Sequence, residues 1–298
     1  MKYLVLIICL LYQIGAQSQL LDRLTRLRPD TPWKQVAAVR LQFPAFHPQG
    51  MVKIGDFFYM SSVEVTRKRQ NNDGGEGIGH LFKFDSTGKL LAEITLGEGL
   101  LYHPGGIDFD GEFIWVPVAE YRPDSRSILY RVAPKTLKAT EVMRFNDHIG
   151  GLVHDTDAHV LKGISWGGRR FYQWELNARS DITNAFVSPE KLRITNPSFY
   201  IDYQDCHYIG QHKMLCAGLK KYKKAPDGPE FALGGLEVVD MKDNRPVFQV
   251  PLLLWSPTGA PMTNNPFWME STATGLRGYF VPDDDAASTL YVYEAAVK

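Results

Sequence analysis

The sequence is poor in cysteine and carries no surplus of either charge. Of its 298 residues 3 are cysteine, and 33 basic residues stand against 33 acidic ones. That balance removes the broad electrostatic pull toward nucleic acid or an anionic lipid surface, so neither is expected as a partner. No Gly-x-Ser-x-Gly elbow occurs, and no cysteine has the setting of a nucleophile. The stretch "DGGEG" at 73–77 leads into no helix and so makes no phosphate cradle. The triplet Asn196-Pro197-Ser198 is blocked as a glycosylation site by its proline. Past the N-terminus no apolar run is long enough to span a bilayer, so membrane insertion is not expected.

What is present begins with a leader. "MKYLVLIICLLYQIGAQSQ" has one Lys, an apolar run from Tyr3 to Tyr12, and small residues at Gly15, Ala16 and Ser18. This is the pattern of a secretory signal peptide over residues 1–18, cleaved after Ala16 or Ser18. The expected organisation is that leader, a lead-in over 19–32, and one domain over 33–298, in a secreted or periplasmic monomer. Cys206 and Cys216 then remain, in "DCHYIGQHKMLCAG", which reads as a hairpin turning near Gly210–Gln211. The hairpin faces the two cysteines across neighbouring strands, and an exported chain can oxidise them to a disulfide.

Gly (26), Pro (18) and an aromatic content of 12% suit a turn-rich all-β protein. One phrase recurs: "FHPQGM" at 46–51, "YHPGGI" at 102–107 and "DHIGGL" at 147–152. Each has a His three residues before a Gly and opens a strand-like run. The unit from His103 parses into four short strands, at 106–109, 113–119, 127–132 and 139–145, with an Asp110-Gly111 hairpin turn. Four such strands make one propeller blade. Further units start near residues 50, 151, 204 and 270. The last has three strands, and "WKQVAAVRLQF" at 33–43 is the unassigned fourth. The expectation is a single β-propeller of five four-stranded blades, its ring closed by N- and C-terminal strands, with a sixth blade open if 177–200 holds more strands.

"HPGGIDFDGEFIWVPVAE" resembles the first hairpin of NHL-type and SMP-30/gluconolactonase-like propellers, with their Pro-x-Gly-Ile, Asp-Gly turn and aromatic second strand. The mature chain as a whole resembles an uncharacterised family of exported propeller proteins. SMP-30-like lactonases hold a divalent metal with a Glu and several Asn/Asp around the axis. That set has no residue-by-residue counterpart here, so the resemblance does not imply lactonase activity. Glutaminyl cyclases also use a five-bladed propeller, and "HPQGM" resembles their opening strand. This implies acyl transfer as a weaker function, without a match to their acidic catalytic residues.

Propeller geometry puts strand entries and the second-to-third loops on one face, the top. His47, His103 and His148 fall at three entries, and Asp205, Trp268 and Glu270 at the two others. Three imidazoles and a carboxylate at one mouth can hold one divalent ion on the axis, with His47, His103, His148 and Asp205 as ligands. The same imidazoles can act as general base, with Glu64 and Glu120 as further catalytic candidates, each thirteen residues after the apolar residue of its phrase. Arg67 and Arg122 suit anionic groups, and Trp166, Trp268 and Glu270 suit a sugar or other flat ligand. The competing structural reading makes the histidines inherited blade residues, with the glycines giving unrestricted backbone angles. The function expected is a top-face site for a small polar or anionic molecule, with metal-assisted hydrolysis or elimination as its chemistry. The alternative is a non-catalytic propeller that binds glycan or protein. "HDTDAH" at 154–159 mimics a metal cluster but reads as a turn on the opposite face.

Overall fold

In the computed structural model, which describes residues 19–70, 74–285 and 288–297, five antiparallel sheets form a ring. The leader call on 1–18 lies outside these residues. Blade I is β2 (His47–Ile54), β3 (Phe57–Arg67), β4 (Glu76–Asp85) and β5 (Leu90–Leu96). Blade II is β6 (Leu101–Pro104) with β7 (Asp108–Phe109), then β8 (Ile114–Glu120), β9 (Ser127–Ala133) and β10 (Lys138–Phe145). Blade III is β11 (Ile149–Asp155), β12 (Val160–Ser165), β13 (Arg170–Glu175) and a two-residue β14 (Ile194–Thr195). Blade IV is β15 (Asp202–Tyr208), β16 (Lys213–Lys223), β17 (Glu230–Asp240) and β18 (Arg245–Leu252). Blade V is β19 (Phe267–Ser271), β20 (Gly275–Phe280) and β21 (Thr289–Ala296), completed by β1 (Trp33–Arg40). Ala38 pairs with Tyr291 and Val39 with Leu290, so the two ends of the chain close the ring as the repeat count requires.

Burial follows strand position. β8 is buried along its whole length, whereas β5 alternates exposed and half-buried residues. An inner strand packs on both faces and an outer strand on one, which is why only the outer strands show a two-residue period. The 177–200 segment adds only β14 and a short helix over Pro189–Leu192, so the ring has five blades.

The repeated glycines have a different cause from the one expected. Gly50, Gly105 and Gly150 are not among the residues of positive φ. Gly50 and Gly105 are small because inner strands meet there: a Cβ on Gly50 would lie 2.5 Å from the Ile107 nitrogen, and one on Gly105 would lie 2.3 Å from the Gly150 oxygen. The contact breaks blade II's inner strand after Pro104, where Gly106 bridges to Gly151 of blade III. The segment at 220–231 extends blade IV as an arm in which β16 and β17 pair out to Lys223 and Glu230.

Below this contact an axial network ties all five inner strands together. Asp205 accepts the N–H groups of Met51 (blade I) at 2.9 Å and Ile107 (blade II) at 3.1 Å. Asp108 accepts those of His154 (blade III) at 3.1 Å and Tyr208 (blade IV) at 3.3 Å. His207 lies between the two carboxylates, 3.3 Å from Asp205 and 3.8 Å from Asp108, and donates to the Phe267 carbonyl of blade V at 2.9 Å. Burial opposes charge on His207, but Asp205 and Asp108 outweigh it and raise its pKa to about 10.

Candidate functional site

Above the network, a cavity of about 560 Å³ opens at the strand entries. His47, His103 and His148 line it in succession, with ring centres 6.4 Å apart for the first pair and 6.1 Å for the second. The repeat places them: each stands near the entry of an inner strand, two or three residues ahead of the glycine where inner strands meet.

The two outer imidazoles are anchored alike. Nδ1 of His148 lies 3.0 Å from the Glu120 carbonyl and 3.1 Å from the Arg122 carbonyl, so this nitrogen carries the proton. Burial pulls the His148 pKa down to about 4, so the ring is neutral at pH 7 with an acceptor lone pair on Nε2. Nδ1 of His47 lies 2.7 Å from Asp284 Oδ1, which also accepts a hydrogen bond from Asn265 at 2.7 Å. Burial opposes ionisation of Asp284, yet His47 and Asn265 hold its pKa below the ordinary carboxylate value. A carboxylate or carbonyl on Nδ1 fixes the tautomer and aims Nε2, whether the ring is to serve as base or as metal ligand.

His103, between them, is 6% exposed, and neither of its ring nitrogens has a hydrogen-bond partner among the described residues. Tyr121 stacks over it with ring centres 4.2 Å apart. Burial, reinforced by the charges that His148 and His47 can carry, drives its pKa well below 6.5. Two shielded, unpaired nitrogens on one side chain are costly to a fold.

The remaining candidates divide. Trp166 lines the cavity, 38% exposed, on a tight turn after β12, with its edge 4.8 Å from His148 between ring centres. Asp205 lies at the cavity floor, with its oxygens engaged by the axial network. Glu120 is buried with both oxygens held, one by Arg122 and the other by Arg126, each at 2.7 Å. Arg122 is therefore a partner of Glu120, and Arg67 pairs with Glu76 at 3.0 Å. Glu64 stands 3.5 Å from His80, whose other nitrogen meets Glu93 at 2.6 Å, away from the cavity lining. Trp268 packs against His207, and Glu270 sits toward the far end of β19, bound by Lys53 and Tyr279. Both lie off the lining, Glu270 because β19 enters at Phe267 and has crossed most of the blade by that residue.

Sequence reasoning missed Tyr121, Asp284 and the Lys220–Asp202 pair, whose nitrogen lies 3.1 and 3.2 Å from the two carboxylate oxygens. Asp284 belongs to "PDDD" at 282–285, which reads as a solvated charge run. Only the three-dimensional return of that loop over His47 gives it a role.

One ion held by three imidazoles at 2.0–2.1 Å in tetrahedral geometry puts ring centres about 5 Å apart. The observed spacings of 6.4 and 6.1 Å exceed that, and Tyr121 covers the middle ring. The donor chemistry suits zinc or another borderline metal, but the side chains must close inward to share it. Among the described residues, the group whose ligand atoms all lie within 4.8 Å is Asp155, Asp157 and His212 on the opposite face. There Asp155 accepts the N–H groups of Asp157 and Ala158 and pairs with His212 at 2.9 Å, as a turn aspartate does.

The cysteine pair is as the hairpin implies. Cys206 and Cys216 are register partners on β15 and β16, joined by a disulfide and buried. No helix among the described residues is long and apolar enough to cross a membrane.

Residues 5–298 match a family of unknown function, DUF6454. No curated protein matches the sequence. Solved structures with a similar fold include a hypothetical protein from Leishmania major, at 11% identity and TM-score 0.52, covering 89% of this chain and 91% of that one. A putative glycoside hydrolase from Parabacteroides distasonis aligns at 8% identity and TM-score 0.50, over 85% of this chain and 87% of that one. A member of the GH130 family of mannoside phosphorylases, from work on Candida mannan, aligns at 9% identity and TM-score 0.50, over 92% and 99%. At such identities the likeness carries the fold and not the chemistry.

Proposed function

Because the chain belongs to the DUF6454 family, whose function is unknown, we propose its role from the cavity: it binds a small polar ligand at the top face and moves a proton on it. His47, oriented by Asp284, is the general base, and His148 is a neutral acceptor beside it. The reaction classes that fit are hydrolysis and elimination, in which a base activates water or removes a proton beside a leaving group. The observation that carries this reading is the shared orientation of His47 and His148, each with Nδ1 tied off and with no partner for Nε2 among the described residues. A divalent ion drawn in between the imidazoles would polarise the ligand or lower the pKa of bound water. Acyl transfer of the glutaminyl-cyclase kind has less support, because the lining carboxylates Asp202 and Asp205 are both engaged.

The buried disulfide supports an exported protein, since such bonds persist in oxidising compartments. A signal peptide over 1–18 belongs to the same proposal.

The test is a screen of the purified chain, with and without added zinc, by thermal shift and by turnover of lactone, ester and glycoside substrates. A hit should lose turnover in His47→Gln while retaining binding. A hit whose binding and turnover both survive His47→Gln and His103→Phe would overturn the assignment. Binding that depends on His103 without any turnover would favour the non-catalytic reading of the same site, for which the exposed face of Trp166 speaks.

A further inference from the structure

The cavity's polarity narrows what it can take. We infer that the ligand is an uncharged, hydroxyl-rich ring, a neutral carbohydrate, and not an anion. This deepens the reading of the top-face site and rests on it.

The imidazole wall presents acceptors. The proton of His148 points away toward two carbonyls, so its Nε2 seeks a donor, and Nδ1 of His47 is likewise taken by a carboxylate. His103 between them is a neutral ring with one donor and one acceptor, both unpaired. A hydroxyl is the common ligand group that satisfies acceptors and also a mixed pair, because it donates and accepts at once. A carboxylate or phosphate offers only lone pairs to these rings, and Asp284 beside His47 repels it further.

The cations that could offset this are already engaged. Lys220 is bound to both oxygens of Asp202, and Arg169 reaches the same carboxylate at 3.2 Å. Arg169 also donates to the carbonyls of Gly167, Ser198 and Ile201, so its planar fork is spent on the fold. Lys221 pairs with Glu230 at 3.4 Å. The arginines expected to greet an anion, Arg67 and Arg122, are held by Glu76 and Glu120 outside the lining.

The cavity also has a flat apolar surface where a sugar needs one. Trp166 and Tyr121 stand 5.9 Å apart between ring centres, beside the imidazoles, and Trp166 is more than a third exposed. A pyranose packs its C–H face on such a ring while its rim hydroxyls reach the nitrogens. Both nitrogens of His103 are shielded, so hydroxyls reach them only when a neighbouring group gives way, and the Tyr121 ring stacked on His103 at the cavity lining is the candidate to move.

The experiment is calorimetric titration of the full chain with uncharged di- and trisaccharides, each matched with a uronate-bearing and a phosphate-bearing counterpart. The expected result is binding of at least one neutral sugar, about tenfold or more tighter than its charged partners and nearly independent of salt. Trp166→Ala should weaken that sugar about tenfold with an unchanged melting temperature, and tyrosine fluorescence or ring NMR signals from Tyr121 should change on binding. Equal or tighter binding of the charged counterparts would overturn the inference. So would a panel in which no saccharide binds. In either case a His103-dependent ligand from the wider screen would leave the top-face site standing.

Discussion

His47 and Asp284 form a 2.7 Å imidazole–carboxylate pair that joins the entry of the first blade to a loop of the last. The ring's closure therefore also completes the site. Asp284→Asn should leave the fold nearly unchanged, since the carboxylate is about half exposed. It should lower turnover by about 10- to 100-fold through misorientation of His47. The check is kcat against KM, with the loss falling on kcat and with a shifted pH profile. An unchanged profile would leave His47 without its assigned orientation.

His103→Phe separates a functional from a structural histidine. Phenylalanine keeps the stack on Tyr121 and removes two unpaired buried nitrogens. The variant should gain about 1–2 kcal/mol of stability while losing ligand binding. Urea unfolding measures the first and titration the second. A destabilised variant would assign His103 to the architecture of its blade.

Breaking the axial network should be severe. His207→Gln leaves Asp205 and Asp108 buried without their cation, at a cost of about 3–5 kcal/mol. The same group sets an alkaline limit. Its folded pKa of about 10 lies above the unfolded value, so its contribution is complete below about pH 6.5 and is lost as pH rises toward 10. His148 acts oppositely. Its folded pKa of about 4 lies below the unfolded value, so stability rises from about pH 4 to 6.5, and His103 adds in the same direction. Lys162, buried and lowered to about 8, gains stability between about pH 8 and 10.5 and so partly masks the loss from His207. A urea series from pH 4 to 10 should peak near neutrality, with His148→Gln flattening the acid limb.

The Cys206–Cys216 bridge closes a loop with a sequence separation of 10, so its removal should cost only a few kcal/mol at most. Because both residues are buried, dithiothreitol should leave the bridge intact in the native protein and reduce it on unfolding. Mass spectrometry after alkylation reads this directly, and rapid native-state reduction would contradict the burial.

Deleting residues 19–43 should expose the edge of β21 along its pairing with β1. It also removes Leu20, Leu24 and Leu27, which are buried in the core shared by blades IV and V. Loss of solubility is expected, by light scattering of the truncated protein.

The ring was legible because its evidence is local and repeated: the Asp110-Gly111 turn, the His-x-x-Gly phrase and the orphan strand at 33–43. Of the site, the three histidines were visible as part of that phrase, and Trp166 as an aromatic at a strand end. Glu64, Glu120, Arg67 and Arg122 were in register but are committed to neighbours that no local pattern reveals. Periodicity marks the height of a residue along a blade. It does not say which side chain of an adjoining loop will turn back to neutralise it, as Arg126 does for Glu120. Asp284, Tyr121 and Asn265 were illegible for the same reason in reverse, since each becomes relevant only when distant segments meet.

The axial trio of Asp108, His207 and Asp205 changes how the ring must come apart. A chain of similar modules, each touching only its neighbours, can fray from one end and lose them one at a time. Here one buried ion cluster draws a bond from every module, so detaching any one of them strips a partner from charges that cannot reach water. The trio works as a keystone does in an arch: it couples all the modules and makes partial opening nearly as costly as complete collapse.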